Sequence, residues 1–219
     1  MYKIVTNTFE RKLYYKNTVV LKYKIEYPQI LGNSFGIHRF NRFNFIKAIK
    51  LKQYSEKNLF KEAKELYDFN VSNGYPVMVY EIVSDFTVTL NKKPCISIYS
   101  DDYMFTGGAH GTTTRTSQNW NIQTGNQINL NELFDCNCDY VLYILKDINN
   151  QIEEQIANGT NYYFDNYCNL VLNSIDLNSF YLDNKYVNIY FQQYDIAPYS
   201  SGIPTFQITS LPYIANCNL

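Results

Sequence analysis

The sequence predicts an α+β fold, with antiparallel sheets that are each packed by a main helix, in two closely associated modules. Two patterns carry this prediction. Apolar and polar side chains alternate over residues 19–27 and 77–90, which is the period of a strand. Apolar side chains recur at helical spacing over residues 59–67 and 141–156. Because runs of strands are interrupted by single helices, a doubly wound sheet is not expected.

Two strands are predicted at the N-terminus. Residues 2–16 have the composition of a first strand or hairpin. The alternation from Val19 to Tyr27 is the clearest strand pattern in this half of the chain. Pro28 is expected to end that strand, because proline cannot donate a hydrogen bond to a ladder.

A helical region is predicted over residues 40–71, after a loop at residues 32–36. It is either one bent helix or two helices, since Ser55 could cap a second segment. Apolar residues are expected to share one face in each part. They are Phe45, Ile46 and Ile49 in the first part, and Leu59, Phe60, Ala63, Leu66 and Tyr67 in the second.

Three strands are predicted next, at residues 77–90, 95–101 and 112–122. The segment Thr106–Gly111 is therefore expected to connect two strands of one meander.

The C-terminal half is predicted to hold one strong helix and a final set of strands. Asn129 and Glu132 match a capping box at a helix start. A helix follows over residues 141–156, with Asn137 or Asp139 as its cap and Gly159 as its stop. After an irregular stretch rich in Tyr and Asn, short strands are expected at 180–182, 187–191 and 206–208.

Composition excludes some classes of function. The net charge is −1 and no basic stripe is present, so the pattern typical of a nucleic-acid-binding protein is missing. The densest basic region, Lys47–Lys64, is broken by Glu56 and Glu62 and is interpreted as the solvated face of a helix. The 22 tyrosines and 14 phenylalanines favour strands. The base composition of an AT-rich genome is favoured as the explanation for this abundance over a tyrosine-lined binding face.

Five cysteines, at positions 95, 136, 138, 168 and 217, do not predict a disulfide framework in a chain of this length. Free thiols are expected. The N-terminus shows no apolar signal core, and no apolar run approaches the roughly 20 residues that cross a bilayer. The residues alone therefore predict an unexported, cytoplasmic protein without a transmembrane segment.

The stretch Phe105-Thr-Gly-Gly-Ala-His-Gly111 has the strongest functional pattern. Its glycines permit positive φ and close backbone approach. His110 is either a general base, metal ligand or partner contact, oriented by Asp101 or Asp102, or a residue that bonds backbone and locks the turn. The second interpretation is favoured, because His38 is the only other histidine available for a metal site. No metal, cofactor or catalytic residue is assigned. The candidate binding residues are Gly107, Gly108, His110, Gly111, Arg115 and Trp120.

Several phrases in a fixed order resemble one bacterial family. They are Ile25-Glu-Tyr-Pro-Gln-Ile30, Phe105–Gly111, Thr124-Gly125 followed by Ile128, Leu130 and Leu133-Phe134, Phe180-Tyr-Leu182, Tyr190-Phe191 with Tyr194-Asp-Ile-Ala-Pro-Tyr199, and Gly202. The chain resembles the paired domains of unknown function in PdaC-type and RsiV-type proteins. In those proteins the first domain is the N-terminal module of a peptidoglycan deacetylase, outside its catalytic domain, and the second is the lysozyme-binding extracellular part of an anti-sigma factor.

The resemblance implies an α+β module at residues 1–104 and a second at residues 105–219. It also implies a non-catalytic domain that binds a cell-wall glycan or a lysozyme-like protein at the cell envelope. The alternative function is a hydrolase that acts on a wall polymer through His110 with Asp101 or Asp102.

Overall fold

A computed structural model of the chain describes residues 1–134, 139–160 and 162–209. A six-stranded sheet has the order β1-β2-β3-β4-β5-β6, and a three-stranded sheet has the order β7-β8-β9. This mixture of sheets and helices confirms the α+β class. The strands are β1 (Ile4–Tyr15), β2 (Thr18–Ile30), β3 (Tyr80–Lys92), β4 (Cys95–Phe105), β5 (Thr112–Asn121), β6 (Asn126–Gln127), β7 (Phe180–Leu182), β8 (Val187–Tyr190) and β9 (Thr205–Ile208).

The described ranges also contain four α-helices and three short helical turns. The α-helices are α1 (Phe35–Tyr54), α2 (Phe60–Ser72), α3 (Tyr140–Ala157) and α4 (Tyr167–Ser174). A π-helical turn joins α1 to α2 at Ser55–Leu59, and 3₁₀ turns lie at Leu130–Leu133 and Tyr199–Ser201. None of the helices in the described ranges has both the length and the apolar character needed to span a membrane.

The chain divides into two compact units. The first unit comprises Tyr2–Phe86 and Ser100–Thr114. The second comprises Met1, Thr87–Tyr99 and the described residues from Arg115 onward. Strands β3, β4 and β5 each contribute residues to both units, so each unit is built from separate stretches of chain.

The first unit packs its helices on strands β1 to β3. β1 and β2 form an antiparallel ladder that runs from Ile4 opposite Ile30 to Tyr15 opposite Thr18. β2 and β3 pair in parallel, since the helical crossover over residues 35–72 returns the chain in the same direction. The core between the helices and the strands contains Leu21, Tyr23, Ile25, Ala48, Leu59, Ala63, Tyr80 and Ile82.

The prediction that Pro28 ends a strand is wrong. β2 continues to Ile30, and Pro28 lies opposite Thr6 in the ladder with β1. The parallel pairing with β3 covers only Leu21–Ile25, so β2 has an open edge beyond Ile25. An open edge tolerates a residue that lacks an N–H donor, which is why the strand passes through the proline.

Helix α1 begins earlier than predicted and buries a different face. It begins at Phe35, where the Ser34 hydroxyl accepts a hydrogen bond from the Ile37 N–H, so the predicted loop at 32–36 ends two residues sooner. Its buried residues include Ile37, Phe40, Asn44 and Ala48, whereas Phe45 and Ile46 are 42% and 37% exposed. Asn44 lies on the buried face because its amide donates to the Phe40 carbonyl, which a count of apolar residues cannot show.

The helical region is continuous from residue 35 to residue 72. Ser55 does not cap a second helix, because its hydroxyl donates to the Leu51 carbonyl at 2.9 Å. The π-helical turn that begins at Ser55 inserts a residue and rotates the faces that follow. After this turn the predicted stripe holds: Leu59 and Ala63 are buried, and Phe60, Leu66 and Tyr67 pack against the same core.

The second unit has its own core, between α3 and the three-stranded sheet. Ile144, Ile148 and Ile152 of α3 are fully buried, as their spacing predicts. The Asp139 carboxylate caps α3 by accepting from the Leu142 N–H at 3.1 Å, while Asn137, the other predicted cap, lies outside the described residues. The stretch predicted to be irregular contains the short helix α4, whose Val171 reaches the core. Only one side chain of α4 is fully buried, so its helical pattern was too weak to recognise.

A buried polar network fixes strand β7 inside the second unit. The Ser97 hydroxyl donates to Asn119 Oδ1 at 2.7 Å and accepts from the Leu182 N–H at 2.8 Å. The Asn119 amide donates to the Phe180 carbonyl at 2.9 Å. Side chains of β4 and β5 thus bind the backbone of β7, which places Tyr181 between two anchored residues.

Candidate functional site: a tyrosine–arginine surface

The glycine-rich loop, residues 106–111, belongs to the first unit and connects β4 to β5, as predicted. Gly107 and Gly108 have φ of +96° and +95°, a conformation that side-chain-bearing residues rarely adopt. A Cβ atom at Gly111 would lie 2.4 Å from the Tyr103 ring and 2.6 Å from the Met104 carbonyl oxygen. Backbone geometry and packing alone therefore require glycine at these positions.

His110 lies on the surface of this loop. Its side chain is exposed, and Nδ1 donates to the Gly111 carbonyl at 3.0 Å, so the hydrogen sits on Nδ1. Asp102 accepts a hydrogen bond from the Ser84 hydroxyl at 2.5 Å and lies 3.8 Å from the Lys47 ammonium. Asp102 thus bonds Ser84 on β3 and lies beside Lys47 on α1.

Lys47 lines a small cleft in the first unit together with Asn44, Ser84 and Ser100. Burial lowers the pKa of the Lys47 amine, and the carboxylates of Asp102 and Asp101 act in the opposite direction. The cleft encloses about 10 Å³, which is room for one water molecule at most. This cluster has the size of an internal polar network and cannot enclose a sugar or a peptide.

The second unit carries a more open cluster of aromatic and cationic side chains. The Arg115 guanidinium on β5 lies 3.9 Å above the ring centroid of Tyr99 on β4. The Tyr99 ring lies 5.0 Å from that of Tyr181 on β7, which in turn lies 6.4 Å from that of Tyr190 on β8. Arg115, Tyr99 and Tyr181 are all half-buried. We call these four residues the tyrosine–arginine site.

Hydrogen bonds hold the site in place from below. The buried Tyr190 hydroxyl lies 3.0 Å from the Ser117 hydroxyl, and burial raises the pKa of Tyr190. The Gln192 side chain bonds both backbone groups of Arg115: Oε1 accepts from N–H at 2.9 Å, and Nε2 donates to the carbonyl at 2.8 Å. The site is therefore preorganised, because its base is fixed before any ligand arrives.

The residues predicted from sequence fall into two groups. Gly107, Gly108, His110 and Gly111 lie in the first unit, and Arg115 and Trp120 lie in the second. Arg115 is at the centre of the tyrosine–arginine site. Trp120 is only 3% exposed, and its indole N–H donates to Gln118 Oε1 at 2.7 Å, so its ring is part of the interior.

The three tyrosines of the site and Gln192 were missed by sequence reasoning. The chain has 22 tyrosines, so composition does not distinguish these three from the others. The usable signal was local, since Tyr99 follows the buried Ile98 on β4 and Tyr181 lies between the buried Phe180 and Leu182. An aromatic residue on the open side of a strand whose other side is buried is a candidate for contact with a ligand.

Of the cysteines, Cys95 is buried with a free thiol and Cys168 is exposed with a free thiol. Cys136, Cys138 and Cys217 lie outside the described residues. Within residues 1–134, 139–160 and 162–209, no cluster of three or more His, Cys, Asp or Glu has the arrangement of a metal site.

The fold and the site define an α+β protein of two units with a polar, aromatic surface cluster. Residues 15–113 match the family model described as deacetylase PdaC, and residues 131–210 match the model of DUF3298, a protein family of unknown function. The chain therefore contains a match to the PdaC model followed by a match to the DUF3298 model, which confirms the resemblance drawn from its motifs. No curated protein matches the chain.

Two solved structures share the fold over nearly the whole chain. A DUF3298 family member from Bacteroides fragilis is 17% identical, with a TM-score of 0.71 over 99% of this chain and 97% of that chain. A DUF3298 family protein from Pseudomonas aeruginosa is 15% identical, with a TM-score of 0.61 over 97% of this chain and 96% of that chain. At these identities the likeness establishes the fold alone.

Proposed function

We propose that this protein is a non-catalytic binding module that recognises a ligand of the cell envelope through the tyrosine–arginine site. The favoured ligand is a peptidoglycan-type glycan that carries a carboxylate. The observation that carries the proposal is the Arg115 guanidinium, held 3.9 Å above the ring of Tyr99, whose ring centroid in turn lies 5.0 Å from that of the half-buried Tyr181.

The chemistry of the site suits such a ligand. The apolar face of a sugar ring stacks on tyrosine, and the tyrosine hydroxyl bonds the sugar hydroxyls. A guanidinium presents several N–H donors in one plane and binds a carboxylate through two of them. Gln192 and Tyr190 already hold Arg115 and the rings in place. A ligand therefore loses little binding free energy to the ordering of these side chains.

A lysozyme-like protein is the alternative ligand that the family resemblance suggests. Tyrosine and arginine are also the residues that dominate protein interfaces. The two ligands differ in size, so they are distinguished by whether soluble glycan fragments bind without any protein partner.

Titration calorimetry with soluble muropeptides tests the proposal, with neutral chitin oligosaccharides as the uncharged comparison. We expect muropeptides to bind the wild-type chain more tightly, and Tyr181→Ala to weaken binding by about tenfold, the loss typical of one stacked ring. Tyr14→Ala removes an exposed tyrosine outside the site, 60% exposed on β1, and is expected to leave muropeptide affinity unchanged. Binding of a lysozyme-like protein together with no binding of muropeptides would replace the glycan with the protein ligand.

The hydrolase alternative is tested in the same samples. It requires His110 and Asp101 or Asp102 to act on a wall polymer. Release of new reducing ends by the wild-type chain, lost in His110→Ala, would contradict a non-catalytic role. Absence of both glycan and protein binding would overturn the proposed function.

A further inference from the structure

The charges of the chain are distributed unevenly, and helix α1 holds the largest excess of one sign. Its sequence contains five of the nineteen Lys and Arg residues and none of the twenty Asp and Glu residues. The rest of the chain carries fourteen cationic and twenty acidic side chains. The net charge of α1 is therefore positive, and that of the remaining sequence is negative.

The outer face of α1 combines three of these cations, Arg39, Arg42 and Lys50, with large apolar side chains. Helical spacing of three and four residues aligns them along the side opposite the buried Ile37, Phe40, Asn44 and Ala48. Phe35 is 69% exposed, Phe43 41% and Ile46 37%. We call this stripe the α1 outer face; it consists of Phe35, Arg39, Arg42, Phe43, Ile46 and Lys50.

Neither stability nor solubility explains this stripe. Exposed phenylalanines leave apolar area in water, and neighbouring cations repel one another, so both features cost free energy in the isolated protein. The Arg39 guanidinium lies 5.7 Å from the Phe35 ring centroid, a contact that keeps both side chains on the surface. Among the described residues, the six ion pairs formed by side chains include none to Arg42 or Lys50.

We propose that the α1 outer face docks peripherally on an anionic phospholipid surface. Phosphate headgroups complement the cations, while Phe35, Phe43 and Ile46 enter the boundary between headgroups and acyl chains. The helix lies flat in this arrangement, which needs no membrane-spanning segment. This docking is independent of the tyrosine–arginine site, because none of its residues belongs to that site.

Flotation of the full chain with vesicles tests the charge requirement. We expect binding to phosphatidylcholine vesicles that contain phosphatidylglycerol, and none to phosphatidylcholine alone. Arg42→Gln with Lys50→Gln should weaken binding by about tenfold or more, and added salt should weaken it in the wild type. The matched control, Lys146→Gln with Lys185→Gln, removes two exposed cations outside α1 and should bind like the wild type.

A second pair of variants tests the apolar requirement. Phe43→Ser with Ile46→Ser keeps every charge and should weaken vesicle binding by about tenfold, since apolar burial is lost. Phe35→Ser, at the first residue of the helix, repeats the test if the double variant fails to fold, as judged by circular dichroism. Three results would overturn the proposal: no binding to anionic vesicles, equal loss in the Lys146 and Lys185 control, or full binding by folded apolar variants. The last result would show that charge alone holds the protein on the vesicle and that Phe43 and Ile46 do not enter it.

Discussion

The carboxamide of Gln192 bonds the backbone of Arg115 at both of its polar groups, as a neighbouring strand would. Oε1 accepts from the Arg115 N–H at 2.9 Å, and Nε2 donates to the Arg115 carbonyl at 2.8 Å. This pair of bonds fixes the backbone from which the Arg115 side chain extends over Tyr99, where the guanidinium lies 3.9 Å from the ring centroid. If Arg115 binds the proposed ligand, Gln192 is a positioning residue that acts through Arg115.

Replacing Gln192 with alanine should loosen the tyrosine–arginine site. Two hydrogen bonds are lost, so we expect the free energy of unfolding to fall by about 1–2 kcal/mol. Muropeptide affinity should fall as well, although Gln192 is not proposed to contact the ligand. Urea unfolding and calorimetry measure the two effects. Gln123→Ala, at an exposed turn, is the control that should leave stability and affinity unchanged. Wild-type affinity in Gln192→Ala would show that the two hydrogen bonds from Gln192 to Arg115 have no role in binding.

Removing the Ser97 hydroxyl should destabilise the second unit. Ser97 is fully buried, and its Oγ bonds Asn119 and the Leu182 N–H at 2.7 and 2.8 Å. Ser97→Ala leaves that N–H without its partner in the interior, which costs about 1–3 kcal/mol. Chemical unfolding measures the loss, and Ser72→Ala at the exposed end of α2 should cost nothing measurable. A neutral Ser97→Ala would mean that water replaces the hydroxyl.

Alanine at Gly111 should be worse tolerated than alanine at Gly108. A Cβ at Gly111 would lie 2.6 Å from the Met104 carbonyl oxygen, so the backbone must move, at a cost of about 2 kcal/mol or more. A Cβ added at Gly108 would have no atom within 4 Å apart from its chain neighbours. The cost there is the positive φ of +95°, roughly 1 kcal/mol. Thermal unfolding of both variants ranks them. The reverse order would place the strain of the loop in its torsion angles instead of its packing.

The bond between Tyr23 and Glu56 should make the stability of the first unit depend on pH. The Tyr23 hydroxyl donates to Glu56 Oε1 at 2.7 Å. Burial by itself raises the pKa of the Glu56 carboxyl, but the hydrogen bonds from Tyr23 and Arg11 outweigh it and the pKa is lowered. The ionised carboxylate therefore stabilises the fold above the ordinary pKa of 4.5, and this stabilisation is lost as pH falls through the folded value.

Tyr23→Phe tests this directly. At neutral pH the variant should unfold about 1–2 kcal/mol more easily than the wild type. The difference should shrink when both are unfolded in urea as the pH falls from 4.5, the ordinary pKa of the Glu56 carboxyl, through its lowered pKa in the folded protein. Tyr14→Phe, at an exposed position, serves as the control at each pH. A difference that stays constant with pH would show that the phenol contributes through packing alone.

Much of the fold could be predicted because its signals are local. The strand at 77–90 and the helix at 141–156 follow from side-chain periodicity, which reports one buried face, and the strand at 112–122 follows from its β-branched residues. The start of α1 was misplaced because Ser34, not an apolar residue, marks it. The end predicted at Pro28 was wrong for the opposite reason. Proline is disfavoured within a ladder, but Pro28 lies where β2 has no pairing with β3, so the strand continues. The boundary expected at residues 104 and 105 stays a prediction.

The sequence by itself determined the α+β class, the paired-domain family and the position of the glycine-rich loop. The sequence also identified Arg115 as a candidate binding residue. Only the tertiary structure decided which tyrosines meet this arginine, because Tyr99 lies on β4 whereas Tyr181 and Tyr190 lie on the paired strands β7 and β8, far along the chain. It likewise decided that Trp120 is interior and that the outer face of α1 is both basic and apolar. Periodicity shows that a side chain is buried or exposed, whereas strand pairing determines which side chain lies beside it.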